Sequence, residues 1–320
     1  MKAIPPALLA LMLAACASAP KEAAPAVAVA DIPDTDIYLG KLSHSDKGWK
    51  IGFLRNASNG PHYDNQPFFL PGSAAFLYVS AGENTKTDIW RYRIENAKKE
   101  MLFSTPTVSE YSPRLEPDGR YISFIQENEA GDVTRVHERR ADGVGASAPV
   151  SDFEPLGYYA WLDGGDALAV YYRTEPGTLY RLDLDSGKKT VLNKAIGRGL
   201  HSDPKGEFLW FTEIIADDKG ADPAFRLTRY QSSTGAMKPL FDLPAKATDF
   251  AVIFDHAGRA EGAFASNGTR IFYRPFSGKD GDKGDWAPVA MLNDTPLYNA
   301  SRIAVSDDHR WIAVVQEKVR

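Results

Sequence analysis

The sequence predicts an all-β chain: a six-bladed β-propeller of four-stranded antiparallel blades, its ring closed by N-terminal strands that complete the last blade. Three observations carry this expectation. A hairpin outline recurs six times, in its fullest form as EYSPRLEPDGRYISFI at 110–125. Each hairpin but the last is followed by a second alternating pair. The two ends of the chain read as complementary halves of one unit.

The hairpins align on their turns. With Asp118 of the Pro-Asp-Gly turn as register, the equivalent positions are Gly72, Gly164, Lys205, Ala257 and Asp308, at steps of 46, 46, 41, 52 and 51 residues. Each has a short apolar run, a Pro/Asp/Gly-rich turn and a second run, the signature of a hairpin. Self-similarity at this period implies an array of small sheets. TDIWRYRIENAKKEMLF, GTLYRLDLDSGKKTVL, AFRLTRYQSSTGAMKPLF and TRIFYRPFSG with WAPVAML supply the second pairs, and DVTRVHERRADGVGASAPV is a less apolar version. No segment beyond the leader has a helical period.

The ends decide between a ring and an open stack. The last hairpin, SRIAVSDDHRWIAVVQ, has no second pair after it. The first ordered segment, TDIYLGKLSHSDKGWKIGFL at 35–54, is a second pair with no hairpin before it, and Thr35-Asp36-Ile37-Tyr38 echoes Thr87-Asp88-Ile89-Trp90. Radial repetition leaves short, protected edges. An open solenoid would need distinct capping repeats instead.

The leader has its own logic. Residues 1–15 carry Lys2, a short uncharged apolar run and small residues, which is a secretory signal. The run is shorter than the about 20 apolar residues that span a bilayer. Leu13-Ala14-Ala15-Cys16 resembles the lipobox of bacterial lipoproteins, which implies cleavage before Cys16 and acylation of it. Two or more acyl chains give stable anchoring. A plain signal peptide ending in cysteine is the alternative. Ala17 implies outer-membrane sorting. Residues 16–34, with the lipidated cysteine and an Ala/Pro-rich stretch, read as a tether, and residues 35–320 as the propeller. Cys16 is the single cysteine, so no disulfide forms within the chain. A net charge of −5 without a basic run argues against a nucleic-acid partner.

The repeats resemble the TolB-like six-bladed propellers. The residues that carry the resemblance are Tyr63-Asp64-Asn65-Gln66-Pro67, Thr87-Asp88-Ile89-Trp90, Ser109-Glu110-Tyr111-Ser112-Pro113, Gly157-Tyr158-Tyr159-Ala160-Trp161 and Ile196-Gly197-Arg198-Gly199-Leu200-His201. The resemblance covers about residues 35–320 and implies a fold, an envelope location and protein binding. TolB itself has an α/β domain ahead of its propeller. Residues 1–34 hold none, so its trans-envelope role is not expected to carry over.

A propeller's innermost strands line its channel, so the loops that lead into them should form the mouth. The register places Asp64, Glu110 and Asp249 at one equivalent position, with Asn65, Gln66, Tyr111, Tyr158, Arg198, His201 and Asn299 around them. Convergent polar groups in a concave mouth are the default site. Three carboxylates with amide carbonyls would suit Ca²⁺, as in six-bladed propellers of the gluconolactonase kind. The plainer alternative is that these residues cap turns and face water. Arg198 is a ready internal counter-ion and weakens the case for a metal. His62, Asp64 and His201 are too scattered for a transition-metal site.

Other motifs fail. Gly-x-Ser-x-Gly is absent, and no residues remain for the hydrolase domain that prolyl oligopeptidases place beside a propeller. Gly197-Arg198-Gly199 and Gly143-Val144-Gly145 lack a strand–turn–helix context. The acidic loop at Asp280 has Asp285 where a calcium loop needs glycine and Met291 where it needs glutamate. An uronate lyase, a seven-bladed fold with a histidine cluster, ranks last. The sequence therefore predicts a non-enzymatic envelope lipoprotein, monomeric, without a cofactor, binding a protein or peptide. Metal-assisted turnover or sensing of a small lactone or sugar is the alternative.

Overall fold

The computed structural model describes residues 33–83, 85–215, 223–276, 285–292 and 296–318. The leader, Cys16 and most of the tether lie outside the described residues, as do residues 280–284 of the acidic loop.

The chain is built from strands laid down in order. β1 (Thr35–Ser45), β2 (Gly48–Ile51) and the short β3 (Arg55–Asn56) come first. β4 (Asp64–Phe69), β5 (Ala75–Ala81), β6 (Thr87–Arg93) and β7 (Lys98–Phe103) form a four-stranded antiparallel sheet in chain order. β8 (Glu110–Leu115), β9 (Tyr121–Glu127), β10 (Thr134–Arg140) and β11 (Ala148–Pro149) repeat it. β12 (Leu156–Leu162), β13 (Ala167–Tyr172), β14 (Gly177–Asp183), β15 (Lys189–Ser202), β16 (Phe208–Ile215), β17 (Ala224–Gln231) and β18 (Met237–Asp242) run on as seven strands. They do so because β15 is shared. Its first part pairs with β14 and its last part, from Ile196 to Ser202, pairs with β16. β19 (Asp249–Phe254), β20 (Ala260–Ser266), β21 (Ile271–Pro275) and β22 (Ala287–Pro288) form another four-stranded sheet. β23 (Ala290–Met291), β24 (Arg302–Val305) and β25 (Trp311–Glu317) join the first strands in the order β23-β2-β1-β25-β24, with β3 on β1.

The pairing of β1 with β25 is antiparallel and continuous from Thr35↔Glu317 to Lys41↔Trp311. The expected half-units thus meet in one sheet. Lys318 reinforces the junction. Its Nζ lies 2.7 Å from Asp34 and donates to the carbonyls of Gly60 (2.9 Å) and His62 (2.8 Å).

The turns follow the sequence register. The residue one past each register position has positive φ in every copy: Ser73 (58°), Gly119 (74°), Gly165 (118°), Gly206 (71°), Gly258 (78°) and His309 (55°). Glycine takes this conformation without a Cβ clash. Asp203 and Asp255 accept backbone N–H groups across their turns, from Phe208 at 2.5 Å and Arg259 at 2.8 Å.

Packing is between sheets. β5 is buried along all seven residues, because both of its faces meet neighbouring sheets. Leu77, Phe103 and Phe124 join the β4–β7 sheet to the β8–β11 sheet. Ile125, Tyr159 and Leu168 join the next pair, and Trp210, Phe250 and Ala263 a later one. Ile51, Phe264 and Ile312 tie the β19–β22 sheet to the last sheet, while Ile37, Phe76 and Val315 tie that sheet to the first.

One detail departs from the sequence reading. WAPVAML was expected as a single fourth strand. Instead Ala287–Pro288 pairs with β21, and Ala290–Met291 pairs in parallel with β2 of the last sheet. The chain crosses at buried Val289, whose N–H bonds the Ile271 carbonyl at 2.8 Å. Among the described residues, helix is limited to short 3₁₀ turns such as Asp163–Gly165, and no helix is long and apolar enough to cross a membrane.

Candidate functional site

The first strands of the repeats, β4, β8, β12, the last part of β15, β19 and β24, approach one another. β4 touches both β8 and β24, and β19 touches both β15 and β24. Between them lies a cavity of about 440 Å³. It is lined by Gln66, Arg114, Tyr158, Arg198, His201, Asp249 and Arg302, among others. Its wall continues to Pro117, Asp118, Pro204 and Asp307 in the hairpin turns. The sequence reading put the mouth at the loops that lead into these strands; the cavity is lined instead by the strands themselves and by the hairpin turns at their far ends.

Three arginines from alternate first strands dominate it. Arg114 of β8 donates from Nη2 to the carbonyl of Leu200 at 3.0 Å. Arg198 of β15 donates to the carbonyl of Ser301 at 2.5 Å. Arg302 of β24 donates to the Tyr158 hydroxyl at 3.5 Å and lies 5.2 Å over its ring. Counted back from the turn register, Arg198 and Ser301 sit at one height and Arg302 and Tyr158 at the next. These bonds therefore run across the cavity and not along it.

The field of these cations shapes the titration of their neighbours. Burial pushes the Tyr158 phenol up, yet Arg302 and Arg198 outweigh it and leave the pKa below its ordinary value. Burial, with Arg114 and Arg302 adding to it, drives His201 down to about 3, so its imidazole is neutral. Burial raises Asp249 although Arg302 and Arg198 oppose the rise. Its Oδ2 accepts the Ile303 N–H at 3.2 Å. Among the described residues these three arginines form no ion pair with a carboxylate closer than 4 Å.

Of the residues singled out from sequence, Gln66, Tyr158, Arg198, His201 and Asp249 line this cavity. Asp64 and Glu110 do not. Asp64 is fully buried and accepts the Gly60 N–H at 2.8 Å; burial raises its pKa. Glu110 is fully buried, accepts the Thr105 hydroxyl at 2.7 Å, and is pushed up to about 7 by burial above all. Neither faces water. Their backbone carbonyls are held alike: Thr35 Oγ1 bonds that of Asp64 (3.0 Å) and Thr87 Oγ1 that of Glu110 (2.8 Å). This explains the echo between the two Thr-Asp-Ile segments, since each threonine latches one sheet to the next.

Asn65 is buried, its Oδ1 accepting the Gln66 N–H at 2.8 Å. Gln66 Oε1 in turn accepts the Ser112 N–H at 2.5 Å. Tyr111 packs among the hydrophobic clusters on both sides of β8. Asn299 is exposed and bonds Glu317 at 2.6 Å. His62 is exposed on the surface. Asp64, Glu110 and Asp249 therefore do not share one cavity, and no group of three His, Cys, Asp or Glu that could hold a metal occurs among the described residues.

The sequence reading missed Arg114 and Arg302. A signal was present: each is the lone cation in a short first strand, as Ser112-Pro113-Arg114 and Ser301-Arg302-Ile303.

No protein-family model matches the sequence, and no curated protein matches it. Solved structures do. A TolB-assigned protein of Agrobacterium tumefaciens aligns with 90% of this chain and 99% of its own at 14% identity and a TM-score of 0.63. The fold is a β-propeller. TolB from Acinetobacter baumannii aligns with 90% of this chain at 12% identity and a TM-score of 0.54, and the match spans 65% of that longer protein. A gluconolactonase of Xanthomonas campestris aligns with 93% of this chain and 99% of its own at 12% identity and a TM-score of 0.58. At such identities the propeller is similar to theirs in fold alone.

Proposed function

We propose that this chain is a non-enzymatic lipoprotein of the bacterial envelope, anchored to the outer membrane through Cys16, whose six-bladed propeller binds a protein or peptide at its channel. The ring reading rests on the shared β15, which divides the seven-stranded sheet into two blades, and on the β1–β25 pairing. The anchor reading rests on Leu13-Ala14-Ala15-Cys16, and the envelope location on likeness to TolB structures.

The observation that carries the binding reading is the channel cavity. It is concave, aromatic-walled and lined by polar groups with unused hydrogen-bonding capacity, which is what recognition sites require. Metal-assisted turnover of a lactone or sugar, the second reading, has the likeness to gluconolactonase in its favour. It needs Asp64, Glu110 and Asp249 around one ion, whereas only Asp249 lines the cavity, beside three guanidinium groups that repel a cation.

Cross-linking in intact cells tests the binding reading. The Tyr158→Ala, Arg198→Ala double variant should remain folded and lose its cross-linked partner. Full capture by that variant would move the contact surface elsewhere. In parallel, a rise in Tm on adding Ca²⁺ that is reversed by EDTA and lost in Asp249→Asn would favour the second reading.

A further inference from the structure

Arg114, Arg198 and Arg302 bring three guanidinium groups to one cavity that Glu116, Asp118, Asp203, Asp249 and Asp307 also line, and of these carboxylates Asp249 is the one that interacts with the three arginines over distance. Burial and the neighbouring Glu138 push Glu116 up to about 8, and Asp307 is raised by burial and Asp308. Asp118 is engaged by Arg120 at 2.6 Å and Asp203 by its own turn. A guanidinium has five N–H donors. Each of the three uses Nη2 on a neutral oxygen across the cavity, which fixes its position. Each has a buried Nε with no protein partner. Arg114 is further held between Phe68 and Tyr159, 5.7 and 5.8 Å from their ring centres.

Buried cations without partners are costly, and a fixed guanidinium fork matches the paired oxygens of a carboxylate or phosphate. We infer that the channel is an oxyanion site, in which Arg198 and Arg302 at successive levels and Arg114 nearer the hairpin turns clasp a carboxylate or phosphate group of the ligand. This rests on the binding reading above and names the chemistry its ligand must carry. Asp249 sets the selectivity by lowering the positive charge without filling the donors. The neutral imidazole of His201 adds no competing charge. The oxyanion comes either from a small free molecule or from the carboxyl end of a peptide, since both present the same group to the same forks.

The test uses the purified full-length chain. Thermal unfolding is followed with sodium phosphate, succinate, triglycine and triglycinamide, each against sodium chloride at equal ionic strength. The expected result is a rise in Tm of roughly 5 °C at about one hundred times Kd, absent in an Arg198→Met, Arg302→Met double variant. A rise with phosphate and succinate alone assigns a free small oxyanion. A rise with triglycine that its amide loses assigns a peptide carboxyl end. No rise beyond chloride with any probe, or an equal rise in the double variant, overturns the inference.

Should the double variant fail to fold, the Nε–H resonances of ¹⁵N-labelled unaltered protein decide. Saturable shifts at Arg114, Arg198 and Arg302 on adding phosphate support the site, and shifts confined to surface arginines overturn it. If the unaltered protein cross-links its partner while no oxyanion raises its Tm beyond chloride, this inference falls and the binding reading stands. If cross-linking is absent from the unaltered protein while the oxyanion response is present, the reverse holds.

Discussion

Arg198 donates from Nη2 to the backbone carbonyl of Ser301 at 2.5 Å, across the channel and 103 residues away in sequence. Ser301 directly precedes Arg302, whose guanidinium lies over the ring of Tyr158. One arginine thus positions the strand that carries the next, and both act on the same phenol.

That coupling predicts an acid-shifted tyrosine. Tyr158 should ionise below the ordinary tyrosine value because Arg302 and Arg198 outweigh its burial. The difference between the ultraviolet titrations of the unaltered protein and Tyr158→Phe should show one such phenol. Arg302→Met should move it upward. An ordinary or raised value in the unaltered protein would refute the field described for the channel.

Glu110 predicts a pH-dependent stability. Its pKa is raised to about 7 from 4.5, through burial first, with the Thr105 hydrogen bond opposing. The folded state therefore holds this proton more tightly than the unfolded state. Its contribution is fully favourable below pH 4.5 and is lost as pH rises through 7, a change on the order of 3 kcal/mol. Glu110→Gln should flatten the stability profile between these pH values and raise stability at pH 8. Denaturant unfolding at pH 5 and pH 8 measures this; an identical slope in the variant counts against the assignment.

Ser123 is fully buried and its hydroxyl accepts two donors from the next sheet, Tyr159 Oη and Trp161 Nε1, both at 2.9 Å. Ser123→Ala should cost about 1–3 kcal/mol for each donor left unpaired. Adding Tyr159→Phe should restore part of the loss, because it removes one stranded donor. Strict additivity in urea melts would show that the shared hydroxyl is not the link.

Gly119 and Gly206 take the same left-handed conformation in equivalent turns, yet their surroundings differ. A Cβ on Gly119 meets nothing within 4 Å, whereas on Gly206 it comes within 2.6 Å of the Asp163 backbone N. Gly119→Ala should cost about 1–2 kcal/mol from backbone conformation alone. Gly206→Ala should cost about 1–3 kcal/mol more from the clash between the two turns. Equal melting temperatures for the two variants would contradict the close approach of the Gly206 and Asp163 turns.

The repeat was legible because turn chemistry is local. Positive φ follows every register position, and glycine or aspartate marks most of them. The site was less legible, since its parts meet only across the cavity. Arg114, Arg198 and Arg302 lie on separate strands with no pattern linking them in sequence. The matched carboxylates mislead for a different reason. Asp64 and Glu110 are followed by bulges, between Asn65 and Phe68 and between Tyr111 and Arg114, whereas β19 pairs without a shift from Asp249 to Ile253. One extra residue turns a strand's side chains to its other face. Equal spacing from the turn therefore places Asp249 at the channel and the other two between sheets.

The union of β1 with β25 has a consequence for how the protein is made. β1 is synthesised first, yet its partner arrives only after every other sheet has been made. Until then β1 presents bare backbone donors and acceptors and an apolar stripe that includes Ile37 and Leu39, the kind of edge that recruits wrong strands. Closing such a long loop is slow compared with forming a hairpin. The nascent chain therefore passes through a stage in which its hairpins have formed while β1 still lacks β25, and that stage is the one most exposed to wrong pairing.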